Sequence, residues 1–435
     1  MKAPFREIPG SIIAPQGFRA AGVFCDIKRL GTGKGSNKGQ KRDLAVIVSD
    51  VPSTAAGMFT TNQVCAAPVK VCVERVRRGK AQAIVVNSGN ANACTGKQGL
   101  NDARAMAKLA ARRLKLAPEL VLVGSTGRIG VTLPMPNVCN GIESAIAALG
   151  SGPEHAAQVA EAIMTSDTRP KQIAVEFSLS GKRVRIGGVC KGAGMIQPGM
   201  STTGKRPAAL HATMLCFITT DAAVSSAALQ LALERAVAQS FNRITVDGDM
   251  STNDTVLVLA NGSSGAKASR NSDVFQAALD HVTLELAKMI VRDGEGVSRV
   301  VTVRVGGAES VTEADAAARA IANSALVKTS WCGGDPNWGR ILGALGYSRA
   351  TIVEEKIDVA YSLPGDKKRL FALRKGQPTD MPFRDLCRIV AEKEFDLHID
   401  LNLGKGSAVM YASDLTEEYV DFNKGDVTDP ASLGG

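Results

Sequence analysis

The sequence contains few of the residues that several common classes of protein require. Of its 435 residues, four are histidines and 4% are aromatic. The four histidines share no ligand spacing and the nine cysteines include no C-x-x-C pair, so neither a zinc site nor a disulfide framework is indicated. The scarcity of histidine also disfavours a Ser-His-Asp hydrolase, and no G-x-S-x-G turn is present.

Long hydrophobic runs are also lacking. No uninterrupted apolar stretch approaches the roughly 18 residues of a membrane span, so we expect no membrane association. The first ten residues, MKAPFREIPG, lack the apolar core of a signal peptide, and we expect a cytoplasmic protein. A hydrophobic content of 45% with 22% charged residues is typical of a soluble globular enzyme.

The formal net charge is +10, which raises the question of a nucleic-acid partner. The low aromatic content leaves few side chains on which bases could stack, and the positive charges are dispersed except in 28–42. We interpret that basic segment as a solvated hairpin tip, with contact to an anionic ligand as the alternative. We therefore expect no nucleic acid as partner, and note that a basic protein also suits carboxylate substrates.

Apolar periodicity predicts alternating strands and helices. Buried strands are expected at 43–50, 81–89, 119–130, 254–262 and 299–307, with a hairpin turning at Ser180-Gly181-Lys182. Helices are expected at 100–115, 137–149, 153–165, 225–242, 272–293 and 312–327, the last with a capping box from Thr312 to Asp315. This mixed order favours an α/β (α+β) protein, a layered sandwich in which sheets pack together between helices.

A glycine-rich turn carrying Lys191 precedes the pair Ala212–Thr213 and the apolar run MLCFI. A small residue before Thr at the mouth of a strand suits a self-cleaving N-terminal nucleophile, because the scissile carbonyl stays open and the β-branched Thr has few χ1 rotamers. We interpret Thr213 as the nucleophile, released by cleavage after Ala212. An ordinary strand start, with Thr as a good β former, is the alternative on the pattern alone.

A threonine at a new N-terminus carries its own base. A hydroxyl is a poor nucleophile without a base beside it. An unperturbed α-amine has a pKa of about 7.7–8.0, against about 10.4 for a lysine side chain, so much more of it is neutral near physiological pH. Such a nucleophile needs no histidine, which is consistent with the composition.

An acyl-transfer nucleophile also needs hydrogen-bond donors for the oxyanion. The segment GSTGRIG (124–130) offers the hydroxyl of Thr126 and a flexible backbone N–H at Gly127, at the end of a predicted strand. A plain glycine turn is the alternative.

Many separate motifs, in one order, resemble the glutamate N-acetyltransferase (ornithine acetyltransferase) family of arginine biosynthesis. They lie at 55–69, 87–96, 124–130, 165–171, 191–196, 212–215, 219–222, 247–256, 292–296, 333–348 and 414–423. The resemblance implies the layered fold of ornithine acetyltransferases and DmpA-like aminopeptidases, with interlocked halves. It also implies an alpha fragment of residues 1–212 and a beta fragment of 213–435, assembled as two copies of each.

The same resemblance assigns roles to individual residues. Thr126 and Gly127 would line the oxyanion hole, and Lys191 would pair with a substrate α-carboxylate. The positions that match substrate contacts of the family are Thr165, Lys191, Thr213, Glu295, Asn423 and Thr428. The carboxylate of Glu295 would hold the amino end of ornithine. No metal or cofactor is implied, and whether acetyl-CoA also serves as acetyl donor stays open.

This chain departs from the family pattern next to the proposed cleavage site. The segment STTGKRPAALH (201–211) is interposed, so strict counting from Lys191 would make Thr202 the nucleophile. We prefer Thr213 because an apolar strand follows it directly. The insertion also creates a near Walker A pattern ending in Arg206, but Arg cannot replace the hydroxyl that reaches Mg²⁺, so we expect no phosphate site. Asp426 and residues 429–435 differ from the family as well.

The resulting prediction is an acyltransferase that moves acetyl from N2-acetyl-L-ornithine to L-glutamate through acetyl-Thr213. One alternative is an aminopeptidase or amidohydrolase with the same N-terminal nucleophile, in which water is the acceptor. Another, of a different class, is a nucleotide- or nucleic-acid-binding protein using segment 28–42.

Overall fold

The computed structural model describes residues 4–28, 41–204 and 214–424. They form two compact units: residues 4–242 with 249–290, and residues 243–248 with 291–424. The predicted fragments 1–212 and 213–435 are a different division, because the first unit contains residues from both sides of the proposed cleavage site. That site itself, Ala212–Thr213, lies outside the described residues.

The strands, β1 to β19 in chain order, alternate with helices along the chain. Their bounds are Phe5–Glu7, Phe18–Val23, Leu44–Thr60, Lys80–Asn90, Val121–Arg128, Lys171–Leu179, Lys182–Lys191, Met200–Ser201, Leu215–Thr220, Ala223–Val224, Ile244–Thr245, Thr255–Ala260, Lys267–Ala268, Val300–Ala308, Asp358–Ser362, Leu370–Arg374, Gln377–Pro378, Glu394–Asp400 and Gly406–Ser413.

The helices, α1 to α11, have the bounds Ala67–Val76, Gly96–Leu114, Met135–Ala147, Pro153–Ala162, Ser226–Gln239, Asp273–Arg292, Val311–Asn323, Ala325–Cys332, Trp338–Gly346, Phe383–Val390 and Glu417–Phe422. Short 3₁₀ turns lie at Ser11–Ile13, Pro118–Leu120, Phe241–Arg243 and Glu354–Lys356. Within the described residues, no helix has the length and apolar character needed to cross a membrane.

Among the described residues, the first unit is built on a sheet of ten strands. Its order is β1-β6-β7-β9-β12-β3-β4-β5, with β2 and β8 each paired to β3. Strands β9 and β12 follow residue 213 in sequence, yet they lie between β7 and β3, which precede residue 212. The two halves of the chain are therefore interlocked within one sheet.

Strand β9 lies in the interior of this sheet and is buried at every position. It runs antiparallel to β7 and parallel to β12. A strand covered on both faces needs a continuous apolar run rather than an alternating one, which explains the sequence LCFITT.

Helices cover both faces of the large sheet. Helices α1 to α4 share one core with β2 to β5. On β7, a Cβ at Gly187 would meet the backbone of the 3₁₀ turn at Ser11, whereas a Cβ at Gly188 would meet Leu286 of α6. Because neighbouring residues of a strand face opposite sides, α6 and that turn cover opposite faces. The predicted mixed α/β class is confirmed.

The second unit contains a separate sheet with the order β11-β19-β14-β18-β15-β16-β17. Helices α7 to α10 pack on it and share its apolar core. Polar side chains occupy other positions of its strands: Arg304 pairs with Asp396 at 2.8 Å, and Ser362 is 2.8 Å from Nε2 of His398. Burial, reinforced by the charge of Arg369, lowers the pKa of His398 to about 4.

Two local predictions are wrong in detail. The helix expected at 312–327 begins at Val311 and is capped by Ser310, whose hydroxyl accepts the N–H of Glu313 at 3.2 Å. The N-cap is therefore Ser310, two residues before the predicted Thr312, and Oε2 of Glu313 accepts the N–H of Thr351 at 2.9 Å. In the predicted hairpin, Leu179 already pairs with Lys182, so the turn has two residues, Ser180 and Gly181.

The basic segment 28–42 is described only at its ends. Lys28 is 5% exposed, and its ammonium donates to the carbonyl of Arg42 at 2.6 Å. Burial lowers the pKa of Lys28 to about 8. Arg42 in turn pairs with Glu161 at 2.7 Å. Lys28 at the first end is therefore packed rather than solvated, whereas Lys41 is exposed and Arg42 is partly exposed. The rest of the segment, 29–40, lies outside the described residues.

Candidate active site

Three neighbouring strands end or begin at the same edge of the first unit. Lys191, the last residue of β7, lies opposite Leu215, the first residue of β9. Leu215 also lies beside Thr255, the first residue of β12. The N–H of Thr255 donates to the carbonyl of Met214 at 3.0 Å. The chain that leaves Thr213 through Met214 therefore enters the sheet between Lys191 and the start of β12.

Asp254 lies at this point and is fully buried. Its Oδ1 accepts the N–H of Met214, the amide that joins Met214 to Thr213. Burial raises the pKa of the Asp254 carboxyl well above its ordinary value, opposed in part by this N–H and by the charge of Lys191. The polar loop 247–256, to which the sequence analysis assigned no role beyond the resemblance, thus supplies a carboxyl group that binds the amide following the predicted nucleophile.

Thr165 and Lys191, two predicted substrate residues, are brought together by a third residue, Asp167. One oxygen of Asp167 accepts the N–H of Thr165 at 2.9 Å and lies 4.0 Å from the ammonium of Lys191. The other accepts the N–H of Gly192 at 2.7 Å and pairs with Lys171 at 2.6 Å. The carboxylate thus fixes both predicted substrate residues at once.

The charges around Asp167 are removed from water. Asp167, Lys171 and Lys191 are 6%, 1% and 3% exposed. Burial by itself raises the pKa of a carboxyl group, but the ammoniums of Lys191 and Lys171 and the N–H of Gly192 lower the pKa of Asp167 well below its usual range. A buried carboxylate with two buried ammoniums leaves an excess of positive charge, which suits an anionic substrate group.

Thr126 and Gly127, the predicted oxyanion donors, lie at the end of β5. Thr126 is 3% exposed, and Gly127 has φ +127°. The register of β4 and β5 is irregular here, since Gly127 pairs with Gly89 and Asn90 pairs with both Thr126 and Arg128. This irregularity interrupts the regular pairing at the two residues that the sequence singled out.

Asn253 connects these donors to the β12 edge. Its side-chain N–H donates to the carbonyl of Ser125, the residue before Thr126, at 2.8 Å, and to that of Ala91 at 2.7 Å. Asn253 precedes Asp254 in the chain, so one dipeptide holds both the β5 end and the amide of Met214. The predicted oxyanion donors and the entrance of β9 are thereby tied to the same loop.

Thr202, the alternative nucleophile, follows the two-residue strand β8. Strand β8 pairs with Phe59 and Thr60, and Asn242 brackets Met200 with hydrogen bonds to its N–H and carbonyl. No strand continues from Thr202 through the described residues 202–204. The preference for Thr213, which rests on the strand that follows it, is consistent with this geometry.

Glu295 and Asn423 lie in the second unit and contact each other. The side-chain amide of Asn423 donates to Oε2 of Glu295 at 3.1 Å and to the carbonyl of Tyr419 at 2.9 Å. The glycine after Glu295 approaches the backbone of α11 closely, and its carbonyl accepts the hydroxyl of Thr416 at 2.6 Å. Thr428, the other C-terminal prediction, lies outside the described residues.

Known proteins are similar to this chain over the residues that contain the sequence motifs. The ArgJ family model matches residues 20–426. The chain belongs to the ArgJ family. It is 48% identical over 420 residues to the arginine biosynthesis bifunctional protein ArgJ of Symbiobacterium thermophilum, covering 96% of this chain and 98% of that one. It is 43% identical over 423 residues to the glutamate N-acetyltransferase of Methanocaldococcus jannaschii, with the same coverage.

A solved structure of the same family is also similar. The ArgJ protein of Bacillus halodurans has 40% sequence identity and a TM-score of 0.43, and the match covers 46% of this chain and all of that one. The match to the ArgJ family model and the sequence identity to the Symbiobacterium and Methanocaldococcus proteins confirm the family resemblance drawn from the motifs, whereas the roles of individual residues stay predictions.

Three residues of this ArgJ-family site were not predicted: Asp167, Asn253 and Asp254. Two of them could have been noticed in the sequence. Asp254 lies directly before an apolar strand, and Asp167 lies two positions after a predicted binding residue. Ionisable residues are rarely buried, so an aspartate in a segment that is expected to be buried is unusual. Their partners lie on other strands, however, and the sequence does not show which strands are neighbours. Among the described residues, no cluster of His, Cys, Asp or Glu is arranged to hold a metal ion.

The close approach at Gly127 leads to a stability prediction. A Cβ there would lie 2.4 Å from the backbone carbon of Gly89, and φ is positive. We expect Gly127→Ala to lower the free energy of unfolding by about 2–4 kcal/mol, from strain and overlap together. Chemical denaturation measures this difference.

Gly130→Ala is the matched control for that variant. Gly130 also has a positive φ, +83°, but a Cβ there would meet nothing within 4 Å. It should lose only the conformational part, about 1 kcal/mol. Equal destabilisation of the two variants would contradict the close packing of Gly127 against β4.

Proposed function

We propose that the chain transfers an acetyl group from N2-acetyl-L-ornithine to L-glutamate through an acetyl-Thr213 intermediate. The observation that carries this proposal is the position of β9. This buried strand begins two residues after Thr213, with Lys191 and Asp254 beside its entrance. The names of the ArgJ-family relatives supply the reaction, and the local arrangement supplies the residues that would carry it out.

Before the first turnover, the hydroxyl of Thr213 would attack the carbonyl of Ala212 and displace the α-amine of Thr213, and water would hydrolyse the resulting ester. This single event leaves a carboxylate on Ala212 and a free amine and hydroxyl on Thr213. The first half-reaction then starts from this new terminus. The amine takes the proton of the Thr213 hydroxyl as Oγ attacks the acetyl carbonyl. The hydroxyl of Thr126 and the N–H of Gly127 stabilise the oxyanion. As the intermediate collapses, the proton passes to the departing nitrogen, ornithine leaves, and acetyl remains as an ester on Thr213.

In the second half-reaction, the amine of glutamate attacks the ester carbonyl and takes the acetyl group. Its proton returns through the α-amine to Oγ of Thr213, which restores the enzyme. Lys191 would bind the α-carboxylate that ornithine and glutamate share, and Thr165, held by the same Asp167, would lie beside it. Lys191 and Asp167 are buried, and exclusion of water from this place would protect the ester, which would otherwise hydrolyse.

Several accompanying features belong to the same proposal. The working molecule would contain two alpha fragments, 1–212, and two beta fragments, 213–435. It would act in the cytoplasm on small-molecule substrates, with no metal, cofactor, nucleic acid or membrane. The ArgJ name "bifunctional" suggests a second activity, for which acetyl-CoA would serve as donor to glutamate.

Trapping the intermediate tests this function. The purified protein is incubated with acetylornithine alone, and intact mass is measured for each fragment. We expect the 213–435 fragment to gain one acetyl group, located at Thr213 by peptide mapping, and to lose it when labelled glutamate is added. Labelled acetylglutamate must appear in equal amount. Release of acetate without acetylglutamate would instead indicate the hydrolase, and an unacetylated fragment would exclude the covalent route.

The proposed role of Glu295 predicts how its substitution changes kcat/KM for acetylornithine. Its carboxylate would bind the δ-ammonium of acetylornithine, and Asn423 holds that carboxylate at 3.1 Å. We expect Glu295→Gln to lower kcat/KM for acetylornithine by about 10- to 100-fold, because a charged hydrogen bond contributes about 1.5–3 kcal/mol. Steady-state kinetics measure this ratio.

A substrate without the δ-amine provides the control for Glu295→Gln. With N-acetylnorvaline as donor, the wild-type and variant proteins should have similar kcat/KM. This substrate has no δ-ammonium, so the wild-type carboxylate has no charged group to bind. A loss of the same size with both donors would show that Glu295 acts on the fold and not on the ornithine amine.

A further inference from the structure

Among the described residues, only one oxygen of the Asp254 carboxyl has a hydrogen-bond donor. Oδ1 accepts the N–H of Met214, but Oδ2 is buried and receives no hydrogen bond from any residue that the structure describes. A buried acceptor without a donor is unfavourable, because it has lost its hydrogen bonds to water and gained none within the protein. The position of this unpaired oxygen at the entrance of β9 indicates that its hydrogen-bond donor is present only in the active, cleaved protein.

The surroundings of Asp254 limit what this donor can be. The groups that approach the residue are Thr60 of β3, whose N–H donates to the Asp254 carbonyl at 2.9 Å, Met214 before β9, and Lys191 of β7. Of these three residues, Lys191 alone is titratable, and its charge acts on Asp254 from a distance. The residue covalently joined to the amide that Asp254 already holds is Thr213.

Cleavage before Thr213 would create a new donor at this place. An α-ammonium carries three N–H groups and a positive charge, and it lies on the residue whose following amide is bound to Oδ1. We propose that Asp254 is a positioning residue for the nucleophile, an inference that rests on the proposed function: Oδ1 fixes the amide that follows Thr213, and Oδ2 binds the α-amine that cleavage releases. The α-amine is thereby held at a fixed place relative to the hydroxyl from which it takes the proton.

This arrangement has a consequence for the charge of both groups. Burial favours the neutral form of Asp254 in the uncut chain. Once an α-ammonium lies beside it, the carboxylate form is stabilised, and the carboxylate in turn favours the ammonium. The pKa of the α-amine is therefore higher with Asp254 than without it, and this difference distinguishes a positioning contact from a merely structural one.

Asp254→Asn tests the inference. The amide oxygen of Asn still accepts the N–H of Met214, so the chain should fold and cleave, but its NH₂ cannot accept a hydrogen bond from the α-amine. We expect kcat for acetyl transfer, per mole of free Thr213 terminus, to fall about 10- to 100-fold while the KM for acetylornithine stays within about twofold. The acid limb of the kcat/KM profile should move to lower pH by about 1 unit.

Asp221→Asn is the matched control. Asp221 follows the other end of β9, is 1% exposed, and has a pKa raised by burial, but both its oxygens accept backbone N–H groups, from Arg185 at 2.8 Å and Gln16 at 3.1 Å. This variant should lose stability and keep the wild-type kcat and acid limb. Asp254→Ser, with a smaller side chain, should show the same shift of the acid limb as Asp254→Asn.

The outcomes separate the inference from the function on which it rests. A wild-type kcat and acid limb in Asp254→Asn, with acetyl-Thr213 still trapped, would overturn the role of Asp254 and leave the acetyltransferase intact. A folded but uncut Asp254→Asn chain would also overturn it, since Asp254 would then act before cleavage. Absence of acetyl-Thr213 in the wild-type protein would instead overturn the proposed function.

Discussion

Thr213→Ala is expected to leave the chain in one piece and to lower acetyl transfer by at least about 10³-fold. Alanine has no hydroxyl to attack the carbonyl of Ala212, so no new N-terminus forms. Without cleavage and without Oγ, neither the base nor the nucleophile of the proposed mechanism exists. Intact mass of the purified variant and an assay with labelled glutamate measure both effects.

Two further variants make this result specific. Thr202→Ala should be cleaved and active, because Thr202 follows a two-residue strand whose end does not lead into the sheet interior. Thr213→Ser should cleave more slowly and retain part of the activity, since it keeps a hydroxyl but has more rotamers. An uncut wild-type chain, starting at Met1 and with full turnover, would show that the mechanism is wrong.

Asp167→Asn is expected to lower the free energy of unfolding at pH 7 by about 3–5 kcal/mol. The substitution removes the carboxylate between two ammoniums that are 1% and 3% exposed, those of Lys171 and Lys191. It also weakens the anchors of Thr165 and Gly192, whose N–H groups donate to that carboxylate. Urea denaturation of the purified variant measures this difference.

Asp50→Asn provides the matched control for Asp167→Asn. Asp50 also pairs with a cation, Arg19, at 2.7 Å, but the two side chains are 46% and 43% exposed. Removal of that carboxylate should change the free energy of unfolding by less than about 1 kcal/mol, because water screens an exposed pair. Equal losses in the two variants would contradict the importance of the buried cluster.

The effect of Asp167→Asn should depend on pH in a defined direction. The folded state lowers the pKa of Asp167, so its contribution to stability is complete above the unfolded value of about 3.9. The contribution is lost as pH falls from there toward the folded pKa. The difference between wild-type and variant proteins should therefore shrink below about pH 4, and a difference that grows on acidification would contradict the assignment.

Short sequence patterns were sufficient to predict those strands and turns whose formation depends mainly on their own residues. The continuous apolar run after Thr213 predicted a buried strand, and β9 is buried at every position. The hairpin turn was recognisable by Gly181, because glycine adopts without strain the positive φ that a two-residue hairpin requires, and Gly181 has φ +75°. The cap of α7 was predicted at the wrong residue because two overlapping pairs, Ser310 with Glu313 and Thr312 with Asp315, both match the sequence pattern of a capping box.

The order of many short motifs, read along nearly the whole chain, placed this protein in its family and named Thr165, Lys191, Glu295 and Asn423. Their amino-acid types carry that information, because a lysine or a glutamate is suited to a charged substrate wherever the fold puts it. The pairing of Asn423 with Glu295, however, joins residues 128 positions apart. Nothing in either motif refers to the other.

The sequence by itself determined the family, the mixed α/β class, many of the longer strands and helices before residue 327, and the residues matched by motif. Only the tertiary structure decided that β9 and β12 insert between strands from the other side of residue 213, and that Asp167, Asn253 and Asp254 meet the predicted site. The physical reason is that side-chain type and periodicity report on a residue's own burial. Hydrogen bonds between strands depend on which strands become neighbours, and the whole sheet settles that order.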